Sequence, residues 1–186
     1  QRYLLNYQVY FVRQDGALRL AGFSFQPEGE AYLPASEKTR LSEEEKQAVL
    51  GIAEQYLDAR YQVEYESFSA EQVFAFYEKN LSAVFLERDG ISLQSLEAQQ
   101  QEFAQNHVSI RLLDCSLAAA DQKKEFFDGQ NYGYYYHVRA SYTYEITADA
   151  GYFAEKDLAS TKTMQETLYF ERKDNGEFCM IGAEYR

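Results

Sequence analysis

Residues 134–147, YYYHVRASYTYEIT, constrain the fold more than any other part of this chain. Tyr134, Tyr136, Val138, Ala140, Tyr142, Tyr144 and Ile146 alternate with Tyr135, His137, Arg139, Ser141, Thr143, Glu145 and Thr147. Successive side chains of a strand point to opposite faces, so the run predicts one long antiparallel strand with an aromatic and aliphatic face and a wet face. It exceeds the usual strand length of about 5–6 residues, which predicts a strong bend or a bulge. His137 falls on the polar face and is expected at the surface. The apolar face needs a cover, and only helices elsewhere in the chain can supply it.

Those helices precede the strand. Ser42 followed by Glu45 fits a capping box, and Glu43, Glu44 and Glu45 complement the positive end of a helix. Ala48, Val49, Ile52, Ala53, Tyr56 and Leu57 then recur on one stripe, predicting a helix to about Tyr61. A second helix starts near Ser69, with Gln72 at its third position and Val73, Phe74, Phe76, Tyr77 and Leu81 as its apolar side. Residues 82–90 read equally as an extension of that helix or as a turn. A third, mostly polar helix runs from Leu93 to about Gln105, anchored by Leu93, Leu96 and Phe103, with His107 at its C-terminal boundary. From His107 the period changes to two: HVSIRLLDCSLAAA is a strand and the long strand follows. Residues 149–160 read as a loop, and KTMQETLYFERK, the turn DNG and EFCMIGAEYR form a closing hairpin. Helices grouped ahead of a four-stranded antiparallel meander predict an α+β fold.

The front of the chain repeats the back. YFVRQDGALRLAG from Tyr10 and YFERKDNGEFCMIG from Tyr169, aligned with Asn175 inserted, share Tyr10/Tyr169, Phe11/Phe170, Arg13/Arg172, Asp15/Asp174, Gly16/Gly176 and Gly22/Gly182. Residues 1–26 are therefore expected to be an N-terminal β-hairpin, residues 27–40 (with both prolines) a linker, and residues 41–186 the main domain. Two hairpins obeying the same turn chemistry account for the match. So does a remnant of a preceding similar domain. The chain opens QRYLLNYQVY, with no initiator Met and no basic-then-apolar leader, which points to a removed upstream segment where a leader or anchor could have stood.

Charge narrows the partners. Thirty acidic residues against 18 basic ones give a formal charge of −12, which repels a phosphate backbone. The densest basic cluster, Lys123-Lys124, is flanked by acids, so no nucleic-acid partner is expected. No apolar run approaches the roughly 18 residues of a membrane span, leaving membrane contact only to an upstream anchor. Cys115 and Cys179 lack metal-ligand spacing and read as separate buried thiols or, if on neighbouring strands, a disulfide. Phosphate loops, nucleophile elbows and metal-spaced sets are absent, so neither a cofactor nor a metal is implied.

The element order, the long bent strand YYYHVRASYTYEIT and the closing LYFERKDNGEFCMIGAEY resemble the nuclear transport factor 2-like superfamily over about residues 41–186. The resemblance implies a cystatin-like cone, a strongly curved sheet wrapped around a long N-terminal helix. The usual domain also carries a short hairpin between its helices, which residues 82–92 do not show. The pattern is similar to domains of secreted or membrane-anchored bacterial proteins, sometimes in tandem, as in conjugation machinery, and this implies an extracytoplasmic location.

That superfamily hosts enzymes, binding proteins and assembly modules. The leading expectation is a non-enzymatic module that contacts a protein partner or a small apolar ligand. Tyr56 and Tyr77 on the helices, with Tyr142 and Tyr144 on the strand, are the candidate ligand-binding residues, the alternative being a plain aromatic core. A cone-type isomerase or dehydratase, as in ketosteroid isomerase and scytalone dehydratase, would need a buried acid or base. Asp114, in phase with Ile110 and Leu112, is the one catalytic candidate, although it could equally face water or mark a bulge. The third expectation is self-assembly as a homodimer through the open face of the sheet.

Overall fold

The computed structural model describes residues 7–14, 17–25, 41–121, 123–128, 132–156 and 159–185. They belong to two units, Gln1–Arg40 and Leu41–Arg186. In the first, strands β1 (Tyr7–Gln14) and β2 (Ala17–Phe25) pair antiparallel, with a register shift between Tyr10 and Phe11. Residues 26–40, the expected linker, lie outside the described residues.

The second unit begins with the helices. Ser42 opens α1 (Glu43–Tyr61): its hydroxyl accepts from the Glu45 N–H at 3.2 Å, and the Glu45 carboxylate accepts from the Ser42 N–H at 2.7 Å. Two orphan N–H groups are thus satisfied reciprocally, as the spacing predicts. Val49, Ala53, Tyr56, Leu57 and Tyr61 form the buried stripe. Ser69, Ser82 and Ser92 cap the next three helices, α2 (Ala70–Asn80), α3 (Ala83–Arg88) and α4 (Leu93–Asn106). Residues 82–90 therefore hold a separate short helix. The α4 helix buries Leu96 and Phe103, and it ends at His107 in the left-handed conformation, φ 50°.

Five strands follow: β3 (Ser109–Ala119), β4 (Lys124–Phe127), β5 (Tyr132–Thr147), β6 (Thr161–Arg172) and β7 (Phe178–Tyr185). They form an open antiparallel sheet in the order β3-β5-β6-β7, with β4 also paired to β5. The expected meander thus gains a strand, and the expected loop at 149–160 contains helix α5 (Ala150–Lys156). One edge of the long β5 is shared, Val138–Thr147 pairing with β3 and Tyr132–Tyr135 with β4. The bulge lies in β3: the register steps from Leu112 opposite Tyr144 to Asp114 opposite Thr143, leaving Leu113 extra and exposed.

Tyr136, Val138, Ala140, Tyr142, Tyr144 and Ile146 are buried on one face of β5, and α1 packs against β3, β5 and β7. That face carries the core, together with Leu168, Phe170 and Met180. The opposite face departs from expectation at His137, which is buried at 6% exposure rather than wet. The cause is β4. Phe126 stacks on Tyr169 with ring centres 4.0 Å apart and planes at 12°, and with Tyr135, Cys179 and Ile181 it makes a small second core on this face. Gly182 admits that ring, because a Cβ there would lie 2.5 Å from the Phe126 ring carbon. Cys179 is buried and Cys115, contrary to expectation, exposed; both are free thiols.

Candidate functional site

The C-terminal half of α1 ends in Tyr56, Arg60 and Tyr61. With Tyr77 of α2, Phe68, Ile91, Leu96 and Gln99 they line a cavity of about 460 Å³. This volume is within the range of small-molecule sites, and its wall has the usual character, apolar and aromatic with a few polar groups. Among the described residues the one cationic side chain in that wall is Arg60. It is anchored by donating to the Tyr56 hydroxyl and, at 3.1 Å, to the Tyr185 hydroxyl of β7, while its guanidinium lies over the rings of Tyr56 and Tyr61. Asp89 contributes an acid to the lining and is paired with Arg88 at 2.8 Å.

Behind Tyr61 lies a carboxyl that sequence reasoning missed. Glu166 of β6 is opposite Ala140 on β5 and Tyr185 on β7, on the core face, with 2% of its surface exposed. Its Oε1 is hydrogen-bonded to the Tyr142 hydroxyl, which is also 3.0 Å from the hydroxyl of Tyr61. Among the described residues its Oε2 has no hydrogen-bond partner. Burial raises the Glu166 carboxyl above its ordinary value, although the Tyr142 bond and the Arg60 charge both act to lower it. Burial also pushes Tyr61 and Tyr77 up to about 12 and raises Tyr142 and Tyr56, so all four phenols keep their protons at neutral pH.

The four candidate tyrosines lie in one aromatic assembly bridged by α1. Tyr56 and Tyr77 line the cavity with ring centres 6.2 Å apart. Tyr142 and Tyr144 sit beneath it, 4.9 and 4.6 Å from Tyr61. Asp114 is not part of this assembly: it is exposed on β3 beside the bulge, without the desolvation a buried base requires. His107 bonds through Nδ1 to Asp149 at 3.0 Å at the exposed end of α4. No group of three His, Cys, Asp or Glu among the described residues is arranged to hold a metal. No helix among them is long and apolar enough to cross a membrane.

Fold and site together define an α+β protein whose aromatic cavity is backed by a buried carboxyl. No protein-family model matches the chain, and no curated protein matches it.

Proposed function

We propose that residues 41–186 form a nuclear transport factor 2-like cone acting as a non-enzymatic binding module of an extracytoplasmic bacterial protein, with a small planar ligand held in the cavity. The observation that carries this reading is the cavity of about 460 Å³ walled by Tyr56, Tyr61, Tyr77 and Arg60. The long α1 against an open antiparallel sheet supports the cone, while the extracytoplasmic setting follows from the resemblance alone. Calorimetric titration with 1-naphthalenemethanol tests it. Saturable one-site binding is expected, and it is lost in Gln99→Trp, which fills the cavity from its half-buried wall. Undiminished binding by Gln99→Trp would overturn the assignment.

One observation favours a second reading, a cone-type isomerase or dehydratase: a buried carboxyl, Glu166, lies within the aromatic assembly. On that reading Glu166, not Asp114, is the acid–base group. Turnover of an enolisable ketone that survives Glu166→Gln unchanged would exclude it. Dimerisation through the sheet draws less support, since Phe126 and Tyr135 already cover Tyr169 on the outer face.

For the N-terminal strands, a duplicated closing hairpin is supported by register. Tyr10 pairs with Gly22 and Phe11 with Leu20, leaving Ala21 extra. Tyr169 pairs with Gly182 and Phe170 with Met180, leaving Ile181 extra. The bulge falls at the same aligned position in both pairs.

A further inference from the structure

A phenol has one proton to give, and that fact orders the chain Tyr61–Tyr142–Glu166. When Glu166 is ionised, Tyr142 donates to Oε1, and its oxygen is left to accept the proton of Tyr61. Tyr61 lines the cavity, but its proton is then committed inward. A ligand that accepts a hydrogen bond from Tyr61 needs that proton turned outward. Tyr142 must then donate to the Tyr61 oxygen, and Glu166 must bring a proton of its own to the Tyr142 oxygen. Every hydrogen bond in the chain reverses and none is lost, provided that Glu166 takes up one proton from solvent.

The surroundings favour this reversal. Ionised, Glu166 carries its charge at 2% exposure with Oε2 unpartnered among the described residues, so protonation relieves a buried charge. Among the described residues the titratable and charged groups facing it are Arg60, Tyr56 and Tyr61 from α1, Tyr142 and Tyr144 from β5 and Tyr185 from β7. Burial keeps the phenols of Tyr61 and Tyr142 protonated and raises the Glu166 carboxyl above its ordinary value, so Glu166 is the member of the chain Tyr61–Tyr142–Glu166 that gains or loses a proton. Arg60 spends two of its five N–H donors on Tyr56 and Tyr185, and its charge in the cavity wall attracts an anion.

We infer that the cavity prefers a planar apolar molecule bearing an anionic hydrogen-bond acceptor, an aromatic carboxylate, and that its binding is coupled to the uptake of one proton by Glu166 through Tyr142 and Tyr61. The inference rests on the cavity being a binding site, as proposed above. No covalent bond to carbon changes: the proton comes from solvent, and the ligand stays ionised.

Calorimetric titration with 1-naphthoate between about pH 5 and pH 9, where a carboxylic acid of ordinary acidity is ionised, tests the coupling. Affinity should fall toward alkaline pH by up to about tenfold per unit above the Glu166 titration, the limit for one linked proton. In buffers of different ionisation heat, the wild-type protein should show proton uptake on binding. Glu166→Gln, whose amide donates to the Tyr142 oxygen without titrating, should keep under alkaline conditions the affinity that the wild type shows in acid. Binding without buffer-dependent uptake, or an unchanged pH profile in Glu166→Gln, overturns the coupling and leaves the cavity a binding site. If 1-naphthalenemethanol binds and 1-naphthoate does not, the anion preference is wrong. If neither binds, the inference falls together with the binding reading.

Discussion

Replacing Tyr142 by Phe isolates the energetics of the buried carboxyl. The substitution removes one oxygen and keeps the ring that sits 4.9 Å from Tyr61 and 6.2 Å from Tyr144. Glu166 loses the one hydrogen bond it has among the described residues, since Oε2 has none. Tyr61, which lines the cavity, loses its hydroxyl partner in the core. A hydrogen bond to a charged group contributes about 1.5–3 kcal/mol, and the bond between the two phenols adds at most about 1 kcal/mol. The expected loss with Glu166 ionised is therefore about 1.5–4 kcal/mol, or about 3–16 °C in Tm for a unit of this size. With Glu166 protonated the bond is between neutral groups and the loss is closer to about 1 kcal/mol.

The sign with pH follows from the raised carboxyl. The stability Glu166 contributes is fully present below its unfolded value of 4.5 and is lost as pH rises through its higher folded value. Tyr142 favours the ionised form, so the penalty of Tyr142→Phe must grow as pH rises. Urea unfolding followed by circular dichroism, on wild type, Tyr142→Phe, Glu166→Gln and the double variant, reads both the penalty and the coupling. Equal penalties in acid and at alkaline pH, or additive single and double variants, would refute the account.

Gly182→Ala should destabilise the second unit by about 1–3 kcal/mol through overpacking, because the new Cβ would lie 2.5 Å from the Phe126 ring. Adding Phe126→Leu should recover part of that loss, and urea midpoints check both steps. Nuclear Overhauser contacts across the N-terminal strands should join the α-protons of Tyr10 and Gly22 and skip Ala21. Direct pairing of Tyr10 with Ala21 would remove the equivalence to Tyr169 and Gly182.

The parts of the fold that were legible carry a repeating signal. In α1 the reciprocal spacing of Ser42 and Glu45 and the stripe from Val49 to Leu57 are both readable, and both recur in the structure. The alternation in β5 likewise matches its buried face from Tyr136 to Ile146. The β4 strand, KEFF, is too short to establish a period, and α5, AGYFAEK, gives barely two turns. His137 obeys the polar phase of its own strand. It is buried beside Tyr169, on which Phe126 stacks, and the position of Phe126 depends on how the chain folds back over the sheet.

Glu166 was hidden for a different reason. Read along the chain it belongs to a polar run, Gln165-Glu166-Thr167. Read at period two it is in phase with Met164, Leu168 and Phe170, a carboxylate within an apolar series. The alternation that identified β5 would have found it in β6. Its placement also bears on why it is there. Glu166 stands opposite Ala140 on the core face, where replacing a buried charge by an apolar group of similar size is often neutral or stabilising. Packing alone therefore gives no reason to keep an acid with one oxygen unpartnered among the described residues. A group that must change its proton count when the hydroxyl of Tyr61 turns toward the cavity does give one. A side chain that could not titrate would leave the relay fixed in a single direction.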